Sequence, residues 1–191
     1  MDNKNVIIIH GAFGCPNENW FPFLKREIEA LGVNVLVPAF PTPEGQSLES
    51  WLEVFKEYEN YLNDKTIFVG HSLGPAFILN LLEKYDKVVA AAYFVAPFTG
   101  LINIEDFDKI NYTITDRNFD WDLIKEHCKE FYVYHSDNDP YVPQSKSEFM
   151  SKQLGAKKYE IIEGGGHLGA SAGFTEFPAL FQEIKSKLET L

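Results

Sequence analysis

The sequence predicts a three-layer α/β sandwich built on a six-stranded, mainly parallel sheet. Two observations carry that expectation. Six short runs, at 6–9, 34–37, 66–69, 88–95, 131–134 and 159–162, are rich in Val, Ile, Phe or Tyr, and most are continuously apolar. Strands covered by helices on both faces read that way, whereas half-exposed strands alternate. The stretches between them have helical periodicity, and strand alternating with helix makes βαβ units.

Taken in order, the first run leads into His10-Gly11. The stretch 20–31 is amphipathic and stops at Gly32, suited to a left-handed cap. After the second run, 47–62 sets Leu48, Trp51, Leu52, Phe55, Tyr58 and Leu62 on one stripe, with Glu and Lys opposite. Ser50 and Glu53 have capping-box spacing, with Ser47 as the competing start. The third run passes into a helix over 74–84, and further helices are expected at 120–128, 144–154 and 178–191. The segment 97–118 is the least regular, with Phe98, Phe107 and Tyr112 among Asp, Asn and Thr. It reads either as a lid or as surface decoration. Trp20, Trp51 and Trp121 fall on the amphipathic helices, where core packing is the default.

A chain of 191 residues with 45% hydrophobic content is expected to form one domain, 1–191, with a full core. The formal charge of −11, from 17 Lys+Arg against 28 Asp+Glu, argues against nucleic acid or an anionic membrane as partner. No apolar run approaches the ~18 residues of a membrane span. Cys15 and Cys128 make no disulfide framework and fit a reducing compartment. Residues 1–5 run straight into the first strand, leaving no room for a signal peptide, so a cytoplasmic protein is expected.

The most informative residues are Gly70-His71-Ser72-Leu73-Gly74, a G-x-S-x-G between the third apolar run and an equally apolar helix. Strand, sharp turn and helix are the context in which a serine is held strained and exposed as a nucleophile. Serine needs a base, and of five histidines only His167 follows the last strand, in the flexible loop Gly164-Gly165-Gly166. The histidine needs a carboxylate to fix its tautomer. Asp137 and Asp139 compete after the fifth strand. Asp139, stiffened by Pro140 and Pro143, is favoured, and Asp137 reads as a turn residue bonding its own backbone. The chain order Ser72, Asp139, His167 is that of α/β-hydrolases, and all three sit just beyond strand C-termini, where parallel sheets put their sites.

The oxyanion of an acyl-transfer step needs donors. The Leu73 N–H lies at a helix start. The second is expected from Ala12, in the loop after strand one, with Phe13 as runner-up. Phe13, Trp20, Phe98 and Phe107 are the aromatic candidates for a substrate pocket. His10 and His71 read as hydrogen-bonding support.

His10-Gly11, Asn19-Trp20-Phe21-Pro22, the G-x-S-x-G, the segment from Ser136 to Pro143 and Gly165-Gly166-His167 together resemble the small serine-hydrolase family of YdeN-like and retinoblastoma-binding-protein-9-like proteins. The resemblance spans nearly the whole chain. It implies an α/β-hydrolase without a large cap domain, with Ser72 as nucleophile, Asp139 as acid and His167 as base. With the right-handed crossover rule it implies the strand order 2-1-3-4-5-6. It carries no retinoblastoma binding, because the nearest stretch, Glu126-His127-Cys128-Lys129-Glu130, lacks the leucine of L-x-C-x-E.

Gly164-Gly165-Gly166 has no following Lys-Ser/Thr and makes no phosphate loop. Asp137 and Asp139 lack the rest of a calcium loop. No metal and no organic cofactor are therefore expected. The expected activity is hydrolysis of small carboxylic esters, with amides open to the same machinery. Two alternatives stand beside it: an interaction protein that keeps the triad with little turnover, and an acyltransferase. No feature indicates a protein partner.

Overall fold

The computed structural model describes residues 4–191. Six strands, β1 (Asn5–Ile9), β2 (Asn34–Leu36), β3 (Thr66–His71), β4 (Ala91–Val95), β5 (Phe131–Ser136) and β6 (Lys158–Ile162), form one sheet. Every pairing is parallel, and the order is β2-β1-β3-β4-β5-β6. The connections carry seven described α-helices: α1 (Phe21–Glu29), α2 (Leu48–Phe55), α3 (Gly74–Lys84), α4 (Glu105–Thr115), α5 (Trp121–Glu126), α6 (Gln144–Leu154) and α7 (Pro178–Glu189).

Successive strand residues point to opposite faces, and both faces are buried. On β1, Ile7 and Ile9 join one core with Phe68, Phe94, Val133 and the residues of α2 and α3. Val6 and Ile8 join the other with Val69, Tyr93, Tyr134 and the apolar stripes of α1 and α7. This is why the strands read as unbroken apolar runs. Helix α3 is buried from Gly74 to Leu82 and is apolar there except at Asn80, whose side chain is hydrogen-bonded to the Ala76 and Ile114 carbonyls.

Several element ends differ from the expectation. The helix expected over 47–62 ends at Phe55 and is followed by a 3-10 turn at Glu59–Tyr61. The Tyr61 carbonyl there accepts from Asn5 Nδ2 and Thr66 Oγ1, which ties the chain down at the entry to β3. Ser47 caps α2, with Ser50 rather than Glu53 closing the box. Of the run at 88–95, only Ala91–Val95 is ladder, and Val89 makes an isolated bridge with Cys128.

The largest difference is α4, inside the segment read as irregular. Ile104, Phe107, Asn111 and Ile114 recur at helical spacing, with Ile114 buried and Ile104 and Phe107 packed against the core. Its acidic first turn (Glu105, Asp106, Asp108) suits a helix N-terminus. Thr, Asn and Asp along the rest obscured that period.

Candidate active site

The C-terminal ends of β1, β3, β5 and β6 converge on one cleft of about 190 Å³. Gly11, Ala12 and Phe13 line it from the β1 loop, Ser72 from the β3–α3 turn, and His167 from the loop after β6. A larger depression, about 610 Å³, lies over α2 against Ser47, Leu52 and Lys56, and none of these residues reaches it.

Ser72 has φ 58°, in the left-handed region that a non-glycine residue enters only under constraint. The constraint is visible. The Ser72 N–H donates to the Val95 carbonyl of β4 (2.9 Å), and the flanking glycines sit where no side chain fits. A Cβ on Gly70 would stand 2.7 Å from the Pro75 nitrogen, and one on Gly74 2.4 Å from the Ile9 carbonyl oxygen. The turn is therefore clamped between β4 on one side and the end of β1 on the other.

His167 is held at three points, two on its imidazole and one on its backbone. Its Nδ1 hydrogen-bonds Asp139 Oδ2 at 2.7 Å, its ring meets Tyr141 edge-on, and its carbonyl accepts from His71 Nε2 at 2.9 Å. The Asp139 side chain is 1% exposed and its other oxygen accepts from the Tyr141 and Val142 N–H groups. Burial alone would raise this carboxyl. The bond and charge of His167 and those two N–H donors outweigh it, so the carboxyl lies below its ordinary 3.8.

Asp137 departs from its expected role. Its Oδ1 accepts from the Gly164 N–H (2.8 Å), and Asn138 Oδ1 accepts from the Gly166 N–H (2.7 Å). Three consecutive side chains thus grip the His167 loop, two by its backbone and Asp139 by the ring. The reading of Asp137 as bonding its own backbone fails because the partner loop lies 27 residues away in sequence.

At the other end, His10 Nε2 accepts from the Phe40 N–H (3.0 Å), so Nδ1 carries the proton and donates to the Gly11 carbonyl (2.8 Å). That anchors the β1 loop where a Cβ on Gly11 would stand 2.9 Å from Ser72 Cβ. The Phe13 N–H donates to Thr42 Oγ1 (2.7 Å), whereas among the described residues the Ala12 and Leu73 N–H groups meet no acceptor. Of the four aromatic candidates, Phe13 and Phe107 line the cleft. Trp20 and Phe98 do not. Trp20 is fully buried, with Nε1 donating to the Leu168 carbonyl (3.0 Å), and Phe98 belongs to the core beneath. Sequence reasoning missed Tyr141, Glu18 and Asn19 on the cleft wall. Adjacency of Tyr141 to Asp139 was the available signal for the first.

The serine hydrolase family model matches residues 6–186. The chain belongs to the serine hydrolase family. It is 33% identical over 186 residues to YdeN of Bacillus subtilis, covering 96% of this chain and 95% of that protein. It is 27% identical over 187 residues to the serine hydrolase RBBP9 of Rattus norvegicus, covering 97% and 95%. The crystal structure of the B. subtilis ydeN gene product superposes with a TM-score of 0.89 at 32% identity, covering 98% of this chain and all of that one. Est1E from Butyrivibrio proteoclasticus, at 18% identity, shares the fold with a TM-score of 0.70 over 98% of this chain and 89% of that one. The protein is a hydrolase of α/β-hydrolase fold. Among its described residues no helix is long and apolar enough to cross a membrane.

In this serine hydrolase the buried histidines also contribute to the dependence of stability on pH. Burial, reinforced by the neighbouring His167, lowers the His71 pKa from 6.5 to about 3. The unfolded chain takes up a proton there as pH falls through 6.5, and the folded chain does not until about 3. The unfolded state binds more protons in that window, so this stability is complete above it and is lost as pH falls. Burial lowers His10 and His135 as well, with the same sign. His71 alone contributes a slope approaching about 1.4 kcal/mol per pH unit. Thermal midpoints measured from neutral pH into this window should fall steadily, and a flat series would contradict a neutral, buried His71.

Proposed function

We propose that this hydrolase cleaves small carboxylic esters through an acyl-enzyme, with Ser72 as nucleophile, His167 as base and Asp139 as the carboxylate that orients it. The observation that carries the reading is the 2.7 Å bond from His167 Nδ1 to a buried carboxylate, beside a serine strained onto the same cleft. With Nδ1 committed, Nε2 is the ring nitrogen left to accept the serine proton.

Ser72 Oγ attacks the ester carbonyl carbon while His167 Nε2 takes its proton. The negative oxygen that forms is stabilised by the Leu73 and Ala12 N–H groups. Collapse expels the alcohol, which receives the proton from the imidazolium. Water then attacks the acyl-enzyme, gives its proton to Nε2, and releases the acid with Ser72 restored. Amides follow the same path with an amine leaving. The small cleft and its aromatic wall of Phe13, Phe107 and Tyr141 favour short acyl groups or small aryl esters.

The test is a fluorophosphonate probe together with turnover of p-nitrophenyl acetate and butyrate. Wild-type protein is expected to take up one label per chain and to hydrolyse both esters. A folded protein that neither labels nor turns over ester would overturn the reading.

A further inference from the structure

Glu18 brings the only carboxylate among the residues that line the cleft. Its position follows from the β1 loop. Gly11 abuts Ser72, and Gly14 folds back so that its N–H donates to the Gly11 carbonyl at 3.2 Å. The Glu18 carboxyl lies against Gly14, where an added Cβ would sit 2.4 Å from Oε1. One tight turn therefore separates this carboxylate from the serine.

The group is fixed rather than free. It accepts a backbone hydrogen bond from Cys15, and the next residue, Asn19, receives the Ala170 N–H on its Oδ1 at 2.8 Å. It has no cationic partner among the described residues. Partial burial raises its carboxyl above the ordinary 4.5, with the Cys15 bond acting against the shift. A carboxylate partly withdrawn from water, with one hydrogen bond and no counter-charge, is under-solvated. The same cleft is lined by three neutral aromatic side chains, Phe13, Phe107 and Tyr141, in an edge-and-stack series. Rings of that kind also attract cations through their faces.

We propose that Glu18 is a specificity-determining residue that selects substrates bearing a cationic nitrogen close to the scissile carbonyl over neutral substrates of the same shape. The proposal rests on the ester-hydrolase reading of the same cleft. The cation fills the role a protein lysine or arginine would otherwise take, and it loses less hydration when it carries methyl groups that pack on the rings.

Two matched pairs test it, each replacing a quaternary nitrogen by carbon. On the acyl side, p-nitrophenyl 4-(trimethylammonio)butyrate is compared with p-nitrophenyl 5,5-dimethylhexanoate. On the alcohol side, choline butyrate is compared with 3,3-dimethylbutyl butyrate. In at least one pair the cationic member should have a kcat/KM at least roughly tenfold higher. In Glu18→Gln that ratio should collapse towards one, and in Glu18→Lys it should invert. The ratio cancels any general loss of activity. Should the variants fail to fold, choline should inhibit wild-type ester hydrolysis competitively at concentrations where 3,3-dimethylbutanol does not. Turnover of the neutral esters with no preference in either pair would overturn the role of Glu18 and leave the hydrolase reading standing. A preference that persists in Glu18→Gln would overturn it as well. Failure to hydrolyse any of the four by protein that still hydrolyses p-nitrophenyl acetate would overturn the role of Glu18 alone, and failure with that ester and the fluorophosphonate as well would overturn both.

Discussion

Ser72→Ala is expected to lose fluorophosphonate labelling and to lower kcat by about 10⁴-fold or more, with the fold retained. The substitution removes one oxygen for which the structure gives no hydrogen-bond partner among the described residues, and alanine accepts the same backbone angle about as well as serine. Thermal unfolding should therefore stay within about 0.5 kcal/mol of wild type. Activity and stability separate at this position because the turn is held by its neighbours, not by the hydroxyl. Asp139→Asn probes the same unit from behind. It keeps the side-chain shape but removes the charge opposite His167 Nδ1 and favours the wrong tautomer, for a loss on the order of 10³–10⁴-fold. The two losses should not add, since each disables one and the same proton transfer. A Ser72→Ala protein with near-wild-type turnover would dismiss Ser72 as nucleophile.

Gly74→Ala is expected to fail in a different way. The new methyl would stand 2.4 Å from the Ile9 carbonyl oxygen, 3.1 Å from its carbon and 3.2 Å from the His10 carbonyl oxygen. All three are backbone atoms of a central strand end, so no rotamer change relieves the contact. Overpacking of this kind costs about 1–3 kcal/mol and more where backbone must shift. The shift also falls on the stretch that carries Gly11 and Ala12. Activity should therefore drop well beyond what the unfolded fraction explains, and the two are compared by measuring kcat at a temperature where circular dichroism reports a folded protein. Wild-type stability in Gly74→Ala would mean that the end of β1 moves more freely than the packing indicates.

Much of this fold was legible because its causes are local. A strand buried on both faces is apolar along its middle, and 6–9 of β1, 67–69 of β3 and 131–134 of β5 are built of Val, Ile, Phe and Tyr. A strained serine between strand and helix demands small flanking residues, and Gly70 and Gly74 stand there. The order of Ser72, Asp139 and His167 along the chain follows from the sheet's topology, so the three could be named together before any distance was known. The register of 71–74 against β1 and β4 is a different matter, since it depends on Ile9 and Val95, whose contact with the turn no local pattern records.

What the sequence by itself determined was the parallel sheet, the elbow and the identity of the polar residues at its edge. Periodicity and turn chemistry act over a few residues, and they leave their mark in the residue types. Only the tertiary structure decided which of the aromatics face the cleft. Trp20 is core because its indole N–H meets the Leu168 carbonyl, 148 residues away, while Phe107 reaches the cleft because α4 carries it against Phe13 and Tyr141. The grip of Asp137 and Asn138 on the glycine loop, and the lone carboxylate of Glu18 in the wall, belong to the same class. Each depends on what a side chain meets across space, and that is set by the packing of distant segments and not by the neighbours along the chain.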